Sequence, residues 1–312
     1  MKKLLKRLAI GVAVFLVLGT AAVAIAVVVR EDRTFDAPYP EIHATTDSAV
    51  IDRGRYLVTG PAHCTACHGA VGDRSVEPHL VGGLEFELPV GSVYARNITP
   101  DVHTGIGRYT DPELARVLRY GVHPSGRAML PFMPFNDMTD EDLTAVISYL
   151  RSRPAVDHLV PPSSFNFLGR AAKAFLLEPV GPTKPIRARV APGPTIERGE
   201  YIANTIANCN GCHTKRSLRT GAAEGVTFAG GMTVESHSAP GTKFVTPNLT
   251  PDPTTGHIYA WTEEVFVARF KNGVPTASPM PWGNFKQISD DDLRALYRYL
   301  RSLPPARLGQ EL

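Results

Sequence analysis

Cys64-Thr65-Ala66-Cys67-His68 recurs, 145 positions on, as Cys209-Asn210-Gly211-Cys212-His213, and these two stretches hold all four cysteines of the chain. C-x-x-C-H is the attachment pattern of a c-type haem. Two thiols three positions apart can add to the vinyl groups on one edge of a porphyrin, while the next side chain brings an imidazole to the iron. The spacing has two rivals. A four-cysteine zinc site must gather pairs 145 residues apart and leaves both histidines without a role, and a thioredoxin-like redox pair has no need of histidine at that position. The expectation is two covalently attached haem c groups, with Cys64, Cys67, Cys209 and Cys212 as attachment residues and His68 and His213 as iron ligands.

The likeness extends to both sides of the motifs. Gly54-Arg-Tyr56-Leu57 precedes the first as Gly199-Glu-Tyr201-Ile202 precedes the second, and Asn97-Ile-Thr-Pro-Asp101 downstream answers Asn248-Leu-Thr-Pro-Asp252. Each half closes alike, with Met138-Thr-Asp-Glu-Asp-Leu143 leading to Tyr149-Leu-Arg-Ser152 and Ile288-Ser-Asp-Asp-Asp-Leu293 to Tyr299-Leu-Arg-Ser302, by which point the offset is 150. The chain is thus an internal repeat with small insertions.

The closing segments read as helices. Thr139 with Asp142, and Ser289 with Asp292, have the form of N-terminal capping boxes, and apolar residues then fall at i, i+3, i+4 and i+7. A second helix is predicted over Asp111–Tyr120 and its counterpart over Glu263–Asn272, each stopped by a glycine. A third precedes each motif, at Ile51–Leu57 and Ile196–Ala207. β signals are few. Between the halves, residues 154–194 carry eight prolines and read as a semi-rigid linker with a short helix at Gly169–Leu177.

A haem that transfers electrons and has His on one side commonly takes Met on the other, since the thioether favours ferrous iron. In the second half Met280, in Ser278-Pro-Met280-Pro-Trp282, is the distal candidate. Counting back 150 from Met280 lands on Leu130, flanked by Met129 and Met133. Met133 is favoured because Met133-Pro134-Phe135 matches Met280-Pro281-Trp282 in character; Met129, a histidine such as His123, or an open position are the other options. Met138 aligns with Ile288 and reads as core.

At 312 residues, with 43% hydrophobic and 20% charged side chains, the chain can bury two cores and is too apolar for a disordered protein. Net charge is +3; Lys2, Lys3, Lys6 and Arg7 account for four positive charges, leaving 29 basic against 30 acidic residues, a balance that disfavours nucleic-acid binding. After those four comes an uncharged run of 22 residues, Leu8–Val29. It is long enough to span a bilayer and longer than the ~7–15-residue apolar region of a cleavable signal. Ala24-Ile25-Ala26 has the form of a cleavage site, but the run reads as a retained anchor, with residues 1–7 cytoplasmic and the rest in the periplasm. The Rossmann pattern G-x-G-x-x-G after a strand is missing, so nicotinamide-dependent dehydrogenase chemistry has no support.

These features together resemble the bacterial membrane-associated, multihaem class I cytochrome c family, which includes cytochrome subunits of alcohol and gluconate dehydrogenases. The resemblance rests on both C-x-x-C-H motifs, the Asn-x-Thr-Pro-Asp stretches, and the Met-Pro-aromatic runs ahead of the last helices. It covers roughly residues 50–153 and 196–303. It implies a mainly α fold: an N-terminal transmembrane helix (residues 1–33 with its cytoplasmic tip), a first cytochrome c-type haem domain (34–153), a Pro-rich linker (154–195) and a second such domain (196–312). It implies His68 and His213 as proximal and Met133 and Met280 as distal ligands. Those dehydrogenase subunits typically carry three haems, whereas this chain has motifs for two. The function implied is electron transfer at the bacterial inner membrane between redox partners: a dehydrogenase, a quinol-oxidising complex, a soluble cytochrome or a terminal oxidase. The competing reading is a dihaem peroxidase-like enzyme with one open or His-ligated iron.

Overall fold

The computed structural model describes residues 2–73, 75–217, 221–236, 239, 241–273 and 278–312. Helix α1 (Lys2–Arg30) stands largely exposed and is long and apolar enough to cross a membrane, with mean hydropathy 2.9 in its most apolar window. α2 (Ser48–Thr59) follows, started by Asp47, whose carboxylate accepts from the Ala49 and Val50 amides; such a cap contributes about 1 kcal/mol. α3 (Cys64–His68) is a single turn. After it come two short antiparallel strands, β1 (Glu85–Leu88) and β2 (Gly91–Tyr94). α4 (Asp111–Tyr120) begins at a complete Thr110–Glu113 capping box and stops at Gly121, which takes the left-handed conformation at φ 61°. α5 (Asp140–Ser152) is capped by Thr139 as its sequence form suggests, although only the threonine side of the box forms.

Residues 154–194 run along the first half instead of hanging between the halves. β3 (Ser164–Phe165) adds a third strand beside β2, and α6 (Phe167–Phe175), two residues earlier at each end than predicted, packs on α1. Further on, the Glu141 amide donates to the Ala188 carbonyl and Asn136 to that of Gly181.

The second half repeats the plan. α7 (Ile196–Tyr201) continues into a π-helical turn, Ile202–Ile206, where a single helix to Ala207 is predicted from sequence. α8 (Cys209–His213), the hairpin β4 (Thr233–Glu235) and β5 (Lys243–Val245), α9 (Glu263–Asn272), the one-turn α10 (Trp282–Phe285) and α11 (Asp290–Ser302) complete it. The chain is therefore helix-rich, with two small sheets among the described residues that its sequence pattern does not announce; strands of two to four residues are too short to display alternation.

In both halves the first helix crosses the last at a glycine. A Cβ on Gly54 would run into the Ala145 carbonyl oxygen of α5, and one on Gly199 into the Ala295 carbonyl oxygen of α11. The repeat of Gly-x-Tyr thus encodes a close helix crossing. Around it lie two cores: Leu57, Val58, Leu80, Met138, Leu143 and Ile147 in the first, and Ile202, Phe228, Phe266, Leu293 and Leu296 in the second. Met138 and Ile288 are both fully buried, at 1% and 0% exposure, so Met138 is core.

The halves meet through an exchange. Arg53 holds Asp142 within the first half (2.8 Å) and Arg198 holds Asp292 within the second (2.8 Å). The tyrosines cross over: Tyr56 donates to Asp292 (2.7 Å) and Tyr201 to Asp142 (2.9 Å). In return, each tyrosine oxygen accepts from the N-cap amide of the opposite closing helix, Ser289 for Tyr56 and Thr139 for Tyr201. The contact is self-complementary, as in a two-fold dimer.

Candidate haem sites

α3 and α8 are single helical turns entered from residues in the left-handed region, His63 at φ 41° and Asn208 at φ 48°. Positions i, i+3 and i+4 of a helix share a face. Cys64, Cys67 and His68 therefore project together, as do Cys209, Cys212 and His213. All four thiols are free of disulfides. Among the described residues no three His, Cys, Asp or Glu side chains converge as a metal-ligand group, and Cys64 and Cys209 pack against different cores, so the zinc alternative finds no counterpart.

Each histidine is oriented from behind. Nδ1 of His68 lies 2.7 Å from the Arg96 carbonyl oxygen, and Nδ1 of His213 lies 2.9 Å from that of Pro247. A carbonyl only accepts, so Nδ1 carries the proton and Nε2 keeps its lone pair for a metal. Both histidines are half-buried. That burial pushes both imidazoles below their ordinary pKa, opposed in part by the carbonyl bonds, and keeps them neutral, the form that ligates iron.

The two carbonyls are in turn fixed by the loop that follows them. Asn97 accepts from the amide (2.9 Å) and hydroxyl (2.8 Å) of Thr99 and donates to Thr104 (3.1 Å) and to the Val156 carbonyl (2.9 Å). Asn248 does the same with Thr250 (2.9 and 2.8 Å), Thr255 (2.9 Å) and the Ala306 carbonyl (2.6 Å). Both asparagines are buried, at 2% and 1% exposure, so these N-x-T triplets serve the loop and are inaccessible to glycosylation. Asp101 and Asp252 close it further; the amides and hydroxyls of Thr104 and Thr255 lower their carboxyl pKa values. A glycine permits the approach of motif and loop in each half: Gly82 and Gly230 have positive φ (73° and 68°), and their amides donate to the carbonyls of His68 and His213 (2.8 Å each). Sequence reading found the Asn-x-Thr-Pro-Asp repeat but not its role, which depends on carbonyls that no side-chain pattern reveals.

On the methionine side, Met133 is half-buried against the first core and Met280 against the second. The turns match, since the Phe135 amide donates to the Met133 carbonyl (3.0 Å) and the Trp282 amide to that of Met280 (2.8 Å). Met129 instead lines a small cavity of about 70 Å³ with Leu130, Val117 and Met133. α10 explains the misalignment at Leu130: Met133 lies five residues before Met138, whereas Met280 lies eight before Ile288, and the helical turn of α10 occupies the difference. His123 bonds Ser125 (2.8 Å) and stacks edge-on to Tyr109.

The chain suits a haem at both sites on three counts: paired thiols with an adjacent neutral imidazole, a carbonyl behind that imidazole, and an apolar surround. In the second half the buried indole Nε1 of Trp282, beside Met280, has no hydrogen-bond acceptor among the described residues and suits a group that brings carboxylates.

Fold and sites define a c-type cytochrome with two covalently bound haem c groups. Residues 49–150 and 194–300 match the family model described as cytochrome c oxidase, cbb3-type, subunit III, and the chain belongs to that family. It is 33% identical over 278 residues to the cytochrome c subunit of a quinone-linked alcohol dehydrogenase from Gluconacetobacter polyoxogenes, covering 85% of this chain and 58% of that one. A gluconate 2-dehydrogenase cytochrome c subunit from Pantoea cypripedii is 29% identical over 275 residues, 82% of this chain and 60% of that one. A diheme cytochrome c-type protein of Cereibacter sphaeroides is 27% identical over 310 residues, 96% of this chain and 98% of its own. The chain thus spans a little over half the length of the alcohol and gluconate dehydrogenase subunits it matches.

Proposed function

We propose that the chain is an electron relay held in the bacterial inner membrane by α1, with both haem-bearing halves in the periplasm, working as the cytochrome subunit of a dehydrogenase complex. The observation that carries this reading is that both halves present the same proximal device, a neutral imidazole fixed by a backbone carbonyl, together with a half-buried methionine in the same turn. The names of the dehydrogenase relatives support the choice of complex.

Each haem would supply a one-electron ferric–ferrous couple. The chain's residues do the rest. Cys64, Cys67, Cys209 and Cys212 hold the groups covalently, His68 and His213 serve as proximal ligands, and Met133 and Met280 serve as distal ones. The division at 1–33, 34–153, 154–195 and 196–312 gives each haem its own half. The Tyr56–Asp292 and Tyr201–Asp142 exchange keeps the halves at one separation. Asn284 adds a one-sided bond from α10 to the first haem motif, donating to Thr65 (2.5 Å) and to the Thr59 carbonyl (2.7 Å). Oxidation of substrate belongs to a partner subunit.

A potentiometric titration of the full-length holoprotein tests the reading, following the reduced α-band and the methionine-to-iron charge-transfer band of the oxidised form. Two low-spin haems that both show this band are expected. One haem without it at a much lower potential would reject the relay as drawn.

A further inference from the structure

α6 is turned inside out relative to an ordinary surface helix. Its buried positions are the small ones, Gly169 and Ala174, and its charged residues Arg170 and Lys173 turn toward the chain. Arg170 pairs with Glu31 just past α1 (2.5 and 2.7 Å), and Lys173 lies over the Phe165 ring. The large apolar side chains point outward: Phe167 is 57% exposed, Leu168 65%, Phe175 45% and Leu176 78%. At 100° per residue Phe167, Leu168 and Phe175 fall within one sector.

The position of this face decides what covers it. Leu8–Val29, at 1.5 Å per residue, is about 33 Å long and fills a hydrocarbon core of roughly 30 Å. Arg30 and Glu31 then stand at the lipid–water boundary. These residues hold α6: Arg30 lies over the Phe175 ring (5.5 Å), Glu31 binds Arg170, and Arg33 donates to the Leu177 carbonyl (2.6 Å). An outward apolar face fixed at that depth is placed as an interfacial helix is.

We propose that the α6 face formed by Phe167, Leu168, Phe175 and Leu176 is a second membrane contact, seated among the headgroups and upper acyl chains of the leaflet from which α1 emerges. This rests on the reading of α1 as a retained anchor. One transmembrane helix leaves the body it carries free to swivel; a second contact beside it fixes the tilt of the first haem-bearing half, so the haem faces a membrane-embedded partner at a set height.

The test uses full-length holoprotein in nanodiscs of phosphatidylethanolamine and phosphatidylglycerol containing a phospholipid with a diazirine near the headgroup. After photolysis, labelled peptides are mapped by mass spectrometry. Label on the 167–176 peptide is expected at a level on the order of tenfold above peptides of the second half, with a fall to their level in L168E/F175E while label on the α1 peptide is unchanged. Label confined to α1 would overturn the proposal. So would a 167–176 peptide labelled in nanodiscs but protected in native membranes, since the face would then belong to a protein partner. Intact mass separates the two readings: if residues 8–29 are missing from the mature chain, the anchor reading fails, and labelling of α6 by added vesicles then decides the surface independently.

Discussion

The two halves share their proximal architecture almost bond for bond and differ in the segments laid over their common helical plan. Arg96 and Pro247 present the same carbonyl to His68 and His213, held by the same asparagine clamp. Around that constant, the first half is wrapped by residues 154–194, with β3 on its sheet and α6 on α1, whereas the second carries a π-helical turn before its haem motif and α10 after its methionine. The groups that set iron chemistry tolerate little displacement, while the surrounding segments need only cover apolar surface and can diverge toward a membrane or a partner.

The sharpest break in this equivalence is the loss of one histidine. H68A or H213A should abolish the native low-spin spectrum of one haem and leave the other intact, read by electron paramagnetic resonance; loss of both would show that the halves do not stand independently. Next in size, M133H and M280H should each lower one midpoint potential, by a substantial part of the roughly 0.8 V span that axial ligands cover in haem proteins, while M129L leaves both unchanged. A shift with M129L and none with M133H would reverse the choice of ligand. G54A and G199A should each destabilise the half that bears them by about 3 kcal/mol, because the added methyl meets backbone, and calorimetry should show which half melts first. The smallest effect falls on the exchange itself. Y56F and Y201F should cost about 2 kcal/mol each, since each removes the bond to a paired carboxylate and the one accepted from the opposite N-cap amide, and Y201F the more, because Tyr201 also meets the Thr139 hydroxyl.

The exchange also has a pH signature. Burial works against ionisation of Asp292, but the bonds and charge of Arg198, with help from Tyr56, outweigh it and hold its carboxyl below the usual carboxylate range. A depressed folded-state pKa means that the stabilisation is fully present above the unfolded value of about 3.9 and fades as pH falls toward the folded one. Thermal stability of the holoprotein should therefore decline below about pH 4, and less steeply in D292N.

Much of this architecture was legible beforehand, for identifiable reasons. α4, α5, α9 and α11 announce themselves through capping residues and a 3.6-residue apolar period, and both haem motifs through spacing alone. The small sheets lie below the length at which a two-residue period can be seen. The register of Met133 was obscured by α10, a helical turn present in one copy only, which breaks a count made at constant offset. The carbonyls behind the histidines are backbone groups and leave no trace in side-chain identity. Least visible was the crossing of Tyr56 and Tyr201, since the same tyrosines could as well have bonded the carboxylates of their own halves.

That crossing makes the molecule a tethered dimer of its own two halves. One continuous chain holds the second copy at an effective concentration in the millimolar range or above. The polar crossing, which lies beside the packing of Tyr201 and Ile206 into the first core, then needs to supply little affinity of its own, and its residues are free to set distance and orientation.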